Sequence, residues 1–367
     1  MADWTLIPTE IWQEILPLAC TDGGFTGNSL ALTSKFFKTQ SSRVRYRTLA
    51  FRSLDQLFRF VGSKLPADLQ NVPRLGTEHI YFSAADEQVP VQLNSRTFVT
   101  PHDFRPYYSL GGDTAQDWTK HFRLAFQTLL RFTYTSMRTL CVLLPDFRIS
   151  LDKIFVVPLF KLEELTWLSP HIGLDIMWRD VPLWRRQQHF PALKRIHLAG
   201  SDAFNVQQLA ELLTIHLPLV THLRLSILSL QPGFDEATTH ELARSLSVSS
   251  PVAVAPATAH AQLPSLRHLI VYSSSLCYSS SPWSIISLTP LFGPSSTELQ
   301  WPLLSSLIQS CEVEHPEIRI VMMKKSPLSK SHWATRLRYE WLDRIQDGVG
   351  CWVNNEDEDD AWSSKKN

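Results

Sequence analysis

One short phrase recurs along the chain and constrains its fold more than any other feature: an apolar residue, two polar ones, then apolar-polar-apolar. It is written as Met137-Arg138-Thr139-Leu140-Cys141-Val142, Leu162-Glu163-Glu164-Leu165-Thr166-Trp167 and Leu193-Lys194-Arg195-Ile196-His197-Leu198. It returns as Val220-Thr221-His222-Leu223-Arg224-Leu225 and Leu266-Arg267-His268-Leu269-Ile270-Val271. The alternating end is a strand signal, and Phe190-Pro191, Leu217-Pro218 and Leu263-Pro264 end any helix that came before. Glu78 to Phe82 and Glu317 to Met322 extend the set as an earlier and a later strand.

Anchored on Leu140, Leu165, Ile196, Leu223 and Leu269, the phrases follow one another at 25, 31, 27 and 46 residues. Leucine-rich repeats have periods of about 20 to 29 residues, so these read as irregular repeats with one long insertion. Between strands lie helical candidates: Trp118 to Thr133, Val206 to Ile215 and Pro302 to Cys311. Strand then helix at this spacing predicts an α/β solenoid of parallel strands with outer helices. The repeat domain is expected over 75–325, with loop insertions at 86–116, 231–262 and 273–298. Histidines in the phrases, His197, His222 and His268 among them, are expected to be solvated.

The N-terminal part is helical in pattern. Ile7, Ile11, Ile15 and Leu18 fall on one helical face, and a run from Asn28 to Gln40 presents Leu32, Phe36 and Phe37. We expect a helical unit over 1–50 and a linker helix over 51–74, carried by Leu54, Leu57, Phe58 and Val61. The last helix, Ser331 to Gln346 within 326–352, spaces Trp333, Leu337, Trp341 and Ile345 by fours and is expected to cap the open end of the solenoid. Glu356-Asp357-Glu358-Asp359-Asp360 makes 353–367 an acidic, disordered tail in this reading.

Charge and cysteine usage exclude several function classes. Lys plus Arg and Asp plus Glu are both 35 of 367 residues, which disfavours nucleic acid as a main ligand because its binding needs a basic excess. The five cysteines include no C-x-x-C pair, against a disulfide framework or a zinc site. The longest apolar candidate, Ile154 to Phe160, is strand-sized, far below the roughly 20 residues of a membrane span. The expectation is an intracellular protein, cytoplasmic or nuclear, with no membrane, metal or cofactor. Gly27-Asn28-Ser29-Leu30-Ala31 approaches a hydrolase elbow, but that motif needs a strand immediately before it, and a Gly/Thr/Asp loop stands there. A serine hydrolase acting through Ser29 is thus a remote alternative.

Three segments then take on a joint meaning: Leu6-Ile7-Pro8-Thr9-Glu10-Ile11-Trp12-Gln13-Glu14-Ile15, Ser29 to Phe37, and Arg45-Tyr46-Arg47. Together they resemble an F-box, with its Leu-Pro-x-Glu-Ile start, an apolar stretch and a Ser-Lys-x-aromatic step. With Trp341-Leu342-Asp343-Arg344-Ile345 and Gly350-Cys351-Trp352, the chain is similar to fungal F-box-like proteins with degenerate leucine-rich repeats. It departs from the pattern at Ile7, where Leu is commonest, at Phe37, where Trp is frequent, and in the Gly-rich loop 20–28. The resemblance implies a non-catalytic receptor of an SCF (cullin-RING) ubiquitin ligase, docking the adaptor and through it the cullin, with a protein substrate on the repeats. Adaptor contacts would come from Leu6, Ile7, Pro8, Ile11, Ile15, Leu30, Leu32 and Phe36. For the substrate we single out Trp178, Trp184, Arg185 and Arg186, since Trp and Arg are enriched at binding hot spots. A repeat scaffold without any ligase is the alternative from another class.

Overall fold

The computed structural model describes residues 7–64, 76–84, 114–144, 154–169, 189–200, 209, 213, 217–227, 265–273, 309–323 and 330–352. Eight strands form one sheet: β1 Thr48–Phe51, β2 His79–Ser83, β3 Thr139–Leu143, β4 Glu164–Leu168, β5 Arg195–Gly200, β6 His222–Ile227, β7 His268–Ser273 and β8 Arg319–Met323. They lie side by side in chain order, and every neighbouring pair is parallel. The architecture is α/β and solenoid-like.

The phrases supply the register. Leu49, Ile80, Leu140, Leu165, Ile196, Leu223, Leu269 and Ile320 stand in one row across the sheet. Side chains alternate faces along a strand, so the residues two further on, from Phe51 and Phe82 to Trp167 and Val271, join them in one buried core. In three of the phrases the opening apolar residue closes a turn, and Ile318 does the same ahead of β8. The amide N–H groups of Leu162, Leu193, Val220 and Ile318 donate to the carbonyls of Leu159, Phe190, Leu217 and His315, three residues earlier. Pro191, Pro218 and Pro316 occupy the second position of such turns, where their fixed φ fits. Proline here shapes the entry to a strand as well as ending what precedes it.

The helices include α1 Thr9–Ala19, α2 Phe25–Thr33, α3 Lys35–Gln40, α4 Leu54–Lys64, α5 Thr114–Thr133 and α6 Lys330–Ile345, with 3-10 turns at Ser41–Arg43 and Gly350–Trp352, and residues 309–314 are helical as well. Leu57 of α4 and Phe122, Phe126, Leu129 and Leu130 of α5 are fully buried in the same core. The Phe122 ring lies 5.0 Å from that of Phe82. The segment expected as a linker helix is therefore one of the covering helices, and the sheet already begins at Thr48, inside the expected helical unit.

The last helix does not close an end of the sheet. Leu337, Trp341 and Ile345 of α6 pack on Tyr81, Cys141, Leu143, Leu168, Ala199 and Ile270, the apolar residues of the sheet's second face. The physical reason is that this face is itself apolar, and the i, i+4, i+8 stripe of α6 is the cover it receives. The insertions at 86–116, 231–262 and 273–298, the helical candidate at 206–215 and the acidic tail fall wholly or mostly outside the described residues. Among the described residues no helix is long and apolar enough to cross a membrane.

Trp341 is buried, with its ring 5.4 Å from that of Tyr81. Trp341→Ala is expected to cost about 3–5 kcal/mol, read as a lowered urea midpoint, with proteolysis of the α6 segment at lower protease concentration.

Candidate functional site

The N-terminal helices are built around one tryptophan. Trp12 and Leu16 of α1 point inward, and the Trp12 ring meets Phe36 at 6.3 Å and Phe37 at 5.0 Å, both edge-on. Such pairs add about 0.5–1.5 kcal/mol each beyond the area they bury. The pattern predicts one helix over 28–40, but two form. The Asp22 carboxylate accepts hydrogen bonds from the Thr26 amide and hydroxyl and starts α2 three residues early, at Phe25. Ser34 is extended, at φ −159° and ψ 161°, and its hydroxyl accepts from the Phe37 amide, starting α3.

That break decides which apolar residues face solvent. Turning α3 away brings Phe36 and Phe37 onto Trp12 and leaves Leu32 88% exposed. On α1, Ile11 is 45% exposed, Ile15 43% and Leu18 77%. With the exposed Pro8, their spacing of three, four and three residues makes one apolar strip that runs beside the buried Trp12–Leu16 edge and faces solvent. Of the expected adaptor residues, Pro8, Ile11 and Ile15 are thus brought together. Leu32 is exposed on α2, Ile7 and Leu30 are half-buried, and Phe36 is half-buried as a ring partner of Trp12 rather than a free contact. Leu6 lies outside the described residues, as do Trp178, Trp184, Arg185 and Arg186. Leu18 belongs to the strip although it was not among the expected contacts; the same helical spacing as Ile11 and Ile15 signals it. Ser29 sits exposed inside α2, preceded by the Gly23-Gly24 turn and not by a strand.

The sheet's second face holds the buried charged side chains of the strands. Arg224 of β6 is 1% exposed; its guanidinium donates to the Cys351 carbonyl at 2.7 Å and lies 3.5 Å from Glu340 of α6. Arg336 donates to the same carboxylate at 2.8 Å. Glu164 of β4 accepts from Arg344 at 2.9 Å and from the Trp352 indole at 3.1 Å, with Arg195 at 3.6 Å. His197 is fully buried and within hydrogen-bond distance of the Ser226 hydroxyl, 2.9 Å. The expectation of solvated strand histidines thus fails at His197, because α6 covers the face it points from. Burial pushes its pKa well below the usual histidine value, and Arg224 and Arg336 push the same way. His222 stacks on His268 with ring centres 4.4 Å apart; burial first, then His268, lowers its pKa to about 4.

His197, Glu340 and Cys351 bring one potential ligand atom each within 4.8 Å of one another. Two guanidiniums already bind the Glu340 carboxylate and oppose a further cation, so we read the cluster as the polar seam between α6 and the sheet. Burial also pushes the Cys351 and Cys141 thiols up, away from the reactive thiolate form.

No protein-family model matches the chain, and no curated protein matches it.

The buried seam has a pH consequence. A histidine whose folded pKa is depressed binds its proton more readily when unfolded, so the stability it allows is complete above the unfolded value of about 6.5 and falls as pH drops. His79, lowered to about 4 mainly by burial, and His222 extend that window down to about pH 4. Unfolding free energy should fall between pH 6.5 and 4, and His197→Asn should flatten the slope by about one proton, roughly 1.4 kcal/mol per pH unit. Urea titrations at half-unit pH steps measure both.

Proposed function

We propose that the chain is a non-catalytic substrate receptor of an SCF-type ubiquitin ligase, with the α1–α3 unit as an F-box that docks the adaptor. The observation that carries the reading is the strip of Pro8, Ile11, Ile15 and Leu18, which is turned to solvent while Trp12 and Leu16 hold the unit together. Had these residues capped the sheet domain, they would be buried against it. A contiguous apolar helix face flanked by polar positions is the kind of surface that a helix-binding partner covers. No bond-making residue is required. A substrate held beside a charged ubiquitin-conjugating enzyme gains effective concentration, so that attack by its lysine becomes nearly intramolecular.

The substrate would meet the irregular leucine-rich-repeat domain. Because α6 lies over the second sheet face, the surfaces left to a substrate on this reading are the strand entries and the connecting segments. The scaffold alternative keeps these surfaces and drops the adaptor.

Ile11→Asp and Ile15→Asp separate the two readings. Both side chains are half-exposed, so each variant should keep the wild-type melting temperature within a few degrees while the paired substitution abolishes co-purification of the adaptor and cullin. Unchanged recovery in the folded variant, or no recovery with wild type, refutes docking through this strip.

A further inference from the structure

The Gly-rich loop 20–28 has no role in the proposed docking strip, yet it helps to build a cleft of about 530 Å³. Gly23 lies on β1: its carbonyl accepts from the Ala50 amide, and a Cβ on it would come within 2.6 Å of the Ala50 Cβ. Its φ of +82° is also one that glycine adopts without strain. The loop therefore rests directly on the first strand and forms one wall. Tyr46, Phe51 and Phe60 supply an aromatic wall, with ring centres of Phe60 5.9 Å from Tyr46 and 5.4 Å from Phe51. Arg338, on the helix that covers the sheet, closes the third side.

The charges in this cleft are unevenly engaged. Both oxygens of Asp22 are held by Thr26. Arg52 and Arg338 make no ion pair among the described residues, and Arg338 Nε is buried without a hydrogen-bond partner there. Arg45, which does not line the cleft, sits 4.5 Å over the ring of the lining Tyr46 and donates to its hydroxyl. Two guanidiniums without an ion pair among the described residues, beside aromatic walls and in a space within the range of small-ligand pockets, form a receptor for one anionic group on a flat apolar body.

We infer that the cleft between the Gly23-Gly24 loop, β1 and Arg338 binds a small organic anion: an aromatic or similarly flat apolar body bearing a carboxylate or a phosphate. Its parts come from residues 22–28, 46–60 and 338, so an occupant would tie the N-terminal unit to the helix over the sheet. The inference does not depend on adaptor docking.

Titration calorimetry of the full chain with benzoate, phenyl phosphate, inorganic phosphate and benzyl alcohol tests it. At least one of the two aromatic acids should bind saturably at one site, the tighter of them naming the acid group, with inorganic phosphate and benzyl alcohol weaker. Arg52→Gln and Arg338→Gln should each raise its dissociation constant about tenfold, the order expected for a lost charge-assisted hydrogen bond. Should a variant fail to fold, photolabelling of the wild type with 4-azidobenzoate and 4-azidophenyl phosphate decides the matter, with label expected on peptides holding 46–60 or Arg338. Binding by neither aromatic acid, equal binding of inorganic phosphate, indifference to both substitutions, or label elsewhere would overturn the inference.

Discussion

A parallel sheet has two faces, and when both are apolar each must be covered. In this protein the two faces are covered by different parts of the chain. The first lies under α4, α5 and the turns that lead into the strands, all contributed by connections between neighbouring strands. The second is covered by α6, which is contributed after the last strand and returns across the sheet to reach β2 and β3. That return packs Leu337, Trp341 and Ile345 onto the face and brings Glu340 and Arg344 over β6 and β4.

The polar seam follows from the same contact. Burying Arg224 alone would strand a charge, and breaking such a pair is among the costlier changes in a core. Glu340 and the Cys351 carbonyl meet it from the C-terminal segment, while Glu164 on the sheet meets Arg344 and Trp352 in the opposite sense. Partners on both sides fix where α6 lies along the strands, which apolar packing by itself would leave free to slide. The same placement sets Arg338 beside β1, where it faces the glycine loop and the aromatic wall of the cleft.

Much of the sheet was legible because a parallel strand with a buried face repeats its chemistry. Leu140, Leu165, Ile196, Leu223 and Leu269, one from each phrase, stand next to one another in the register. Before it the strand at 79–83 and after it the strand at 319–323 were readable by the same alternation. Less legible was the division between α2 and α3, since Leu32, Phe36 and Phe37 keep helical spacing straight through Ser34. Only the extended conformation of Ser34 separates an outward Leu32 from inward phenylalanines. His197 and Arg224 read as outward residues in an alternating strand. They are outward from the first core, yet buried under a helix more than 100 residues away in sequence.

The sequence by itself determined seven of the eight strands, the face that carries the leucines and the apolar spacing of α1, because these depend on contacts that recur within each repeat or each helical turn. Tertiary structure decided which side of α1 stays in solvent, where α6 lies, which histidine loses its water and how the glycine loop meets Arg338. Those outcomes depend on pairings between single, non-repeating segments far apart in the chain, such as Arg224 to the Cys351 carbonyl, and no local period encodes them.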